Sequence, residues 1–164
     1  MRPVPDEPRP GQTSVWSFPR PAVAETELRR LRVAFGGRTI AETTRGVRTL
    51  ETSHPPTYYF PADDVAPGVL VPVPGRSLCE WKGQARYFDV AAGDARAPRA
   101  AWSYPEPTPA FASLAGYVAF MPAAMEACFV GGERARPQEG GFYGGWITDD
   151  LAGPFKGGPG TMGW

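Results

Sequence analysis

LRVAFGGRTIAE, residues 31–42, is the stretch that decides the fold. Two runs rich in strand-forming side chains flank Gly36-Gly37, and a two-residue glycine turn supplies the positive φ that hairpin turns of the primed types require. The same pattern repeats outward. Thr44-Arg45-Gly46 reads as a turn into VRTLE (47–51), with Val47, Thr49 and Glu51 on one face and Arg48 and Leu50 on the other. VLVPV (69–73) reads as an edge strand, because its proline cannot donate to a ladder. SLCEW (77–81) and ARYFDV (85–90) pair across Lys82-Gly83, and RAAWSY, YVAF and EACFV supply further strands. Gly131-Gly132 turns a last hairpin into RAR (134–136).

Strands this short, with turn signals about every ten residues, predict a mainly β protein: a single compact antiparallel sandwich or small barrel. No strand–helix–strand repeat supports a parallel sheet. Two or three short helices are expected, at PADDV (61–65), where proline opens a turn that carries acids, and at AFASLAGY (110–117). TELRRLR (26–32) reads either as a helical turn or as the lead-in to a strand. Trp16-Ser17-Phe18-Pro19-Arg20-Pro21 is echoed by Trp102-Ser103-Tyr104-Pro105-Glu106-Pro107, and each copy precedes a Gly-Gly hairpin. The echo predicts two halves related by a pseudo-two-fold.

The ends differ from the middle. Residues 1–14 are proline- and charge-rich without periodicity and are expected to form a flexible arm. Residues 15–139 carry the β pattern. The tail, residues 140–164, is rich in glycine and aromatic side chains, too flexible to fold alone and too aromatic to be left in water. It is expected to pack on the domain or on a neighbouring subunit, with Phe142, Tyr143, Trp146 and Phe155 buried.

At 164 residues the chain fits one domain that buries roughly 70% of its unfolded surface. Glycine and proline together make up about a quarter of it, at the border of disorder, but 42% of the residues are hydrophobic and argue for a folded core. Seventeen basic residues balance seventeen acidic ones, so nothing favours nucleic acid or an anionic membrane as partner. No run is long and apolar enough to span a bilayer, and MRPVPDEPRP has no apolar core of a signal peptide. Cys79 and Cys128, the only cysteines, are too far apart for a zinc knuckle or a redox pair and read as free thiols of a cytoplasmic protein. Neither a cofactor nor a metal is expected, and a homo-oligomer stays open.

The site candidate is LETSHPPTYYF, residues 50–60, which holds the one histidine of the chain between polar residues and a stiff Pro55-Pro56 corner. Phosphate-binding loops are excluded, since neither GxxxxGK[ST] nor a GxGxxG after a strand occurs. The pairs Asp63-Asp64 and Asp149-Asp150 would point to opposite faces of a strand, which argues against two-metal nucleotidyl transfer. A thiol–imidazole pair needs the fold to bring Cys79 or Cys128 to His54. A serine hydrolase needs partners that Ser53 and His54 lack in their neighbourhood. What remains is acid–base or binding chemistry. His54 is the candidate catalytic residue, with a reference pKa near 6.5. The candidate ligand-binding residues are Arg20, Glu51, Ser53, His54, Tyr58, Tyr59, Lys82, Trp102 and Tyr104. Arg20, Lys82 and His54 are expected to converge on one cavity that takes a small anion. The alternative is a structural or interaction module that works through its aromatic tail.

WSFPRP, LETSHPPTYYFP, CEWKG, ARYFDV, AAWSYPEP and GYVAF, in that order, resemble the bacterial family called domain of unknown function 427. The tail is similar to that of its actinobacterial members. The resemblance implies a compact, mainly β domain with a little helix. The family has been catalogued as nucleotidyltransferase-like, and the carboxylate pattern of such enzymes is missing here. It brings no catalytic residues to carry over.

Overall fold

The structure is a computed structural model and describes residues 2–164. Its strands are β1 (Thr13–Ser14), β2 (Val23–Glu27), β3 (Leu31–Phe35), β4 (Arg38–Thr43), β5 (Gly46–Leu50), β6 (Thr57–Pro61), β7 (Leu70–Cys79) and β8 (Gly83–Ala92). They continue as β9 (Ala95–Ser103), β10 (Tyr117–Phe120), β11 (Ala127–Val130), β12 (Glu133–Arg134), β13 (Arg136–Pro137), β14 (Trp146–Ile147) and β15 (Leu151–Ala152). Seven of them form one antiparallel sheet in the spatial order β2-β5-β6-β10-β9-β8-β7, and four form a second, β12-β11-β3-β4. The large sheet ends in two edges, β2 and β7, that do not pair with each other. It is therefore open, and the expectation of a barrel is corrected. Closure would need a ladder between those edges, and Pro72 and Pro74 leave β7 without donors where such a ladder would run.

The deciding hairpin forms as read: β3 and β4 pair antiparallel across Gly36-Gly37, whose φ values of 63° and 77° are those of a primed turn. Gly131 and Gly132, at 57° and 91°, close the β11–β12 hairpin in the same way. β11 in turn pairs with β3, so the two glycine hairpins lie side by side in the smaller sheet. Their leader segments differ, however: Trp16 sits in a 3-10 turn and Trp102 within β9. Among the described residues helical structure is limited to four 3-10 segments, Val15–Ser17, Ala62–Asp64, Pro109–Leu114 and Pro122–Ala124. TELRRLR is strand at both ends, in β2 and β3.

Strand alternation divides the interior in two. Along β6, Tyr58 and Phe60 point into a core that also takes Leu31, Val33, Ile40, Phe120 and Cys128, and thus draws on both sheets. Tyr59, between them, points to the opposite face, where it meets Val47, Ala85, Tyr104 and the 3-10 segment carrying Phe111 and Leu114. A period of two makes this split unavoidable for consecutive tyrosines.

The two ends of the chain are tied to each other. Asp6 N donates to Gly153 O (2.8 Å), β1 runs parallel to β15, and Trp16 Nε1 donates to Pro154 O (2.9 Å). The tail packs on its own chain: Trp146 is fully buried between Tyr58 and Phe60, and its backbone N–H donates to Pro56 O. Tyr143 and Phe155 are half-buried, whereas Phe142 is 81% exposed, contrary to expectation. Neighbouring rings cannot both turn inward here. Tyr143 takes the inner place against His54, and Phe142 leans edge-on against Tyr143 from outside. Among the described residues no helix is long and apolar enough to cross a membrane.

Candidate functional site

The site grows out of the turn between β5 and β6. His54 N donates to Glu51 O (3.0 Å), which closes a four-residue turn with Ser53 in its third position at φ 74°. A left-handed conformation there is what a type II turn demands, and for a residue with a Cβ it stores strain. The surroundings hold it: Ser53 N donates to Val15 O and Ser53 O accepts from Lys156 N (2.9 Å), so an N-terminal turn and the tail grip the same residue. The turn sets the side chains of Glu51 and His54 next to each other, with Nε2 of the imidazole 3.5 Å from Oε2 of the carboxylate.

Gln138, just after β13, decides which nitrogen of His54 carries the proton. Its Oε1 accepts from Gly145 N (3.1 Å) and its Nε2 donates to Lys156 O (2.7 Å). The amide nitrogen is thereby the group that faces His54 Nδ1 at 3.1 Å, so Nδ1 must accept. The neutral imidazole then bears its hydrogen on Nε2, pointed at Glu51. Burial, and after it the charges of Lys156, Lys82 and Arg20, bring the His54 pKa down to about 4. The Glu51–His54 contact at neutral pH is therefore a neutral N–H against a carboxylate and not an ion pair. Burial works the other way on Glu51 and raises its carboxyl above the usual range, against the pull of Lys82, Arg20 and Lys156.

The same three cations thus act on both members of the pair. Arg20 is tied to backbone oxygens, Thr52 O at 3.2 Å and Trp164 O at 3.5 Å; Lys156 Nζ donates to Trp164 O at 3.3 Å; and Lys82 stands over the Phe111 ring. Among the described residues none of the three pairs with an Asp or Glu side chain, although Arg20 and Lys156 share Trp164 O as acceptor.

Glu51 and His54 open onto a cavity of about 470 Å³ on the outer face of the large sheet. Of the residues expected from sequence, Tyr59, Lys82, Trp102 and Tyr104 also line it, so six of the nine are brought together. Three are not. Tyr58 lies on the other side of the sheet, where its hydroxyl is 3.4 Å from Arg29 Nη2. Ser53 is fully buried with its Oγ unpartnered, and Arg20 stays outside the lining although its charge reaches the pair. Burial raises the phenols of Tyr59 and Tyr104, which keeps both protonated as hydrogen-bond donors.

Sequence reasoning missed Gln138, Arg99, Trp81, Tyr87 and Tyr143 on the same walls. The alternation of ARYFDV put Tyr87 within reach of that reading, since it shares a face with Ala85. Nothing local marked Gln138. The Gly144-Gly145 pair did carry a signal: a Cβ on Gly144 would lie 2.3 Å from the Trp102 ring, and one on Gly145 would lie 2.7 Å from Pro55 O. Those glycines let the tail lie flat against the site.

The other chemistries find no assembly. Cys128 is buried in the core away from the cavity. Cys79 does line the cavity with His54, but among the described residues no hydrogen bond joins thiol to imidazole, whose two nitrogens face Gln138 and Glu51. Asp64 is held by Thr43 and Arg45, Asp149 by Arg136 and Asp150 by Arg29. A second cavity of about 250 Å³ is lined by that last network, where Arg29 and Arg48 are already paired with Glu25, Glu27 and Asp150.

The family model described as domain of unknown function 427 matches residues 22–131, more than half of the chain. No curated protein matches. The chain belongs to the domain of unknown function 427 family.

Proposed function

We propose that this family member binds a small anionic molecule at the Glu51–His54 pair and moves a proton on it. The observation that carries the reading is the pairing of a carboxyl raised by burial with a neutral imidazole N–H, within the field of three cations that pair with no Asp or Glu side chain, of which Lys82 lines the cavity. The proton-carrying role goes to Glu51 rather than His54. A base that stays unprotonated down to about pH 4 is a poor acid at neutral pH, whereas burial that raises a carboxyl above its ordinary value makes it a stronger base. In this reading the ionised Glu51 takes a proton from the ligand. His54 Nε2–H donates to the oxygen on which charge develops, and Lys82 holds the anionic group.

The reading assumes the two sheets stacked as a sandwich, with the site on the outer face and the tail as its side wall. Free Cys79 and Cys128 are in keeping with a cytoplasmic setting. The test is a thermal-shift screen of small carboxylates and phosphates with the wild type, Glu51→Gln and Lys82→Gln. A ligand held at 100 times its Kd should stabilise the wild type by about 2.7 kcal/mol. The expected pattern is a shift that Lys82→Gln abolishes, with turnover of the hit lost in Glu51→Gln. Hits that shift all three proteins alike would place the anion elsewhere and sink the proposal.

A further inference from the structure

We infer that the ligand of this cavity is a planar aromatic acid, its ring held against the aromatic wall and its carboxylate against Lys82. The inference rests on the anion-binding reading above and adds the class of molecule. Seven of the twenty-one lining residues are aromatic, against 12% in the chain as a whole. They come from five separate places: Tyr59 from β6, Trp81 from the β7–β8 turn, Tyr87 from β8, Trp102 and Tyr104 at the end of β9, and Tyr143 with Phe142 from the tail. A core cluster would bury such rings completely. Here Trp81, Tyr87, Trp102 and Tyr143 stay half-buried around an open space of about 470 Å³, within the range of small-molecule sites.

The mouth supplies a second observation. Six large hydrophobic side chains are exposed among the described residues, and two of them, Leu78 at 78% and Phe142 at 81%, stand on this rim. Apolar surface left in water at the mouth of a cavity is surface that an apolar ligand would cover. The charged groups divide by place in the fold. Glu51 and His54 sit at the turn after β5, and Lys82 sits beside Glu80 at the β7–β8 turn with its ammonium over the Phe111 ring. Arg99, the other cation of the lining, is engaged by Pro74 O and the Tyr87 ring. A molecule that spans them presents an anion at one end and a position for proton exchange at the other, with a flat body between. Aromatic walls prefer a flat ring to a puckered one, because ring quadrupoles favour offset or edge-on pairs beyond the area they bury.

Three probes of one size separate the parts of this idea in isothermal titration calorimetry with the full chain: 2-naphthoate, its saturated analogue decahydro-2-naphthoate, and neutral 2-naphthamide. The expected result is that 2-naphthoate binds about tenfold tighter than the saturated acid. It should also bind at least tenfold tighter than the amide. Lys82→Gln should erase the preference for acid over amide, and Trp102→Leu the preference for planar over saturated. Trp102→Phe, which keeps a ring, should retain most of the latter and guards against a variant that has lost its fold. Equal affinity for both acids, with the acid-over-amide preference intact, would overturn the aromatic inference and leave the anion reading standing. Equal affinity for 2-naphthoate and its amide, unchanged in Lys82→Gln, would overturn both. No binding of any probe to the wild type would also overturn the inference, and binding of small phosphates alone would leave the anion reading without it.

Discussion

The chain has one histidine, so the protonation of His54 can be followed without ambiguity. Burial and three nearby cations hold its folded pKa at about 4, against 6.5 in the unfolded chain. At ~1.4 kcal/mol per pH unit, that difference is worth about 3 kcal/mol of stability. The unfolded chain protonates this group below pH 6.5 and the native protein only below about 4, so between the two the unfolded state binds more protons. The contribution is therefore whole above pH 6.5, falls away as the pH drops, and is lost by about pH 4. Glu51 works in the opposite sense. Its folded pKa is raised, so what it adds is present below its unfolded value of about 4.5 and is lost as pH rises through the folded one. The two slopes oppose each other on the acid side of neutrality, and Glu51→Gln should expose the full slope due to His54. The assay is urea denaturation at steps from pH 7 down to about 4 for the wild type, Glu51→Gln and His54→Gln, beside an NMR titration of the imidazole. The wild-type imidazole should titrate at about 4 and, when neutral, carry its proton on Nε2. An imidazole that titrates near 6.5, or a Glu51→Gln protein with the same pH slope as His54→Gln, would refute the reasoning.

Gly145→Ala should destabilise by about 1–3 kcal/mol, since its Cβ would meet Pro55 O at 2.7 Å and Gln138 Oε1 at 2.5 Å. Gly163→Ala, with nothing within 4 Å, is the control that should unfold at the wild-type urea midpoint. Ser53→Gly should stabilise by about 1 kcal/mol, because it relieves a left-handed φ of 74° and removes a buried hydroxyl without a partner. A lower midpoint for that variant would mean that the hydroxyl is bound after all. Truncation after Gly140 removes the fully buried Trp146 and the backbone bond from Lys156 to Ser53, and should cost at least the ~3–5 kcal/mol of a large core deletion. An unchanged melting temperature would contradict the packing described for the tail.

Local sequence determined what depends on neighbours along the chain. The glycine pairs at 36–37 and 131–132 set their hairpins because only positive φ fits a primed turn, and Pro72 marked β7 as an edge because it lacks a donor. The same logic drew attention to the corner around His54, where turn and prolines crowd polar side chains. Tertiary structure decided the rest, since each remaining feature is a relation between distant segments. Tyr58 and Tyr59 read alike as letters, and only the burial of both faces of the large sheet sends one to the core and the other to the cavity. Gln138 sets the His54 tautomer from 84 residues away, a contact with no trace in local pattern. The proton-carrying role assigned to His54 from its reference pKa is passed in our proposal to Glu51. A reference value describes a solvated group, and the desolvation and the three cations that shift both pKa values exist only once the segment before β2, the turn after β5, the β7–β8 turn and the tail have come together.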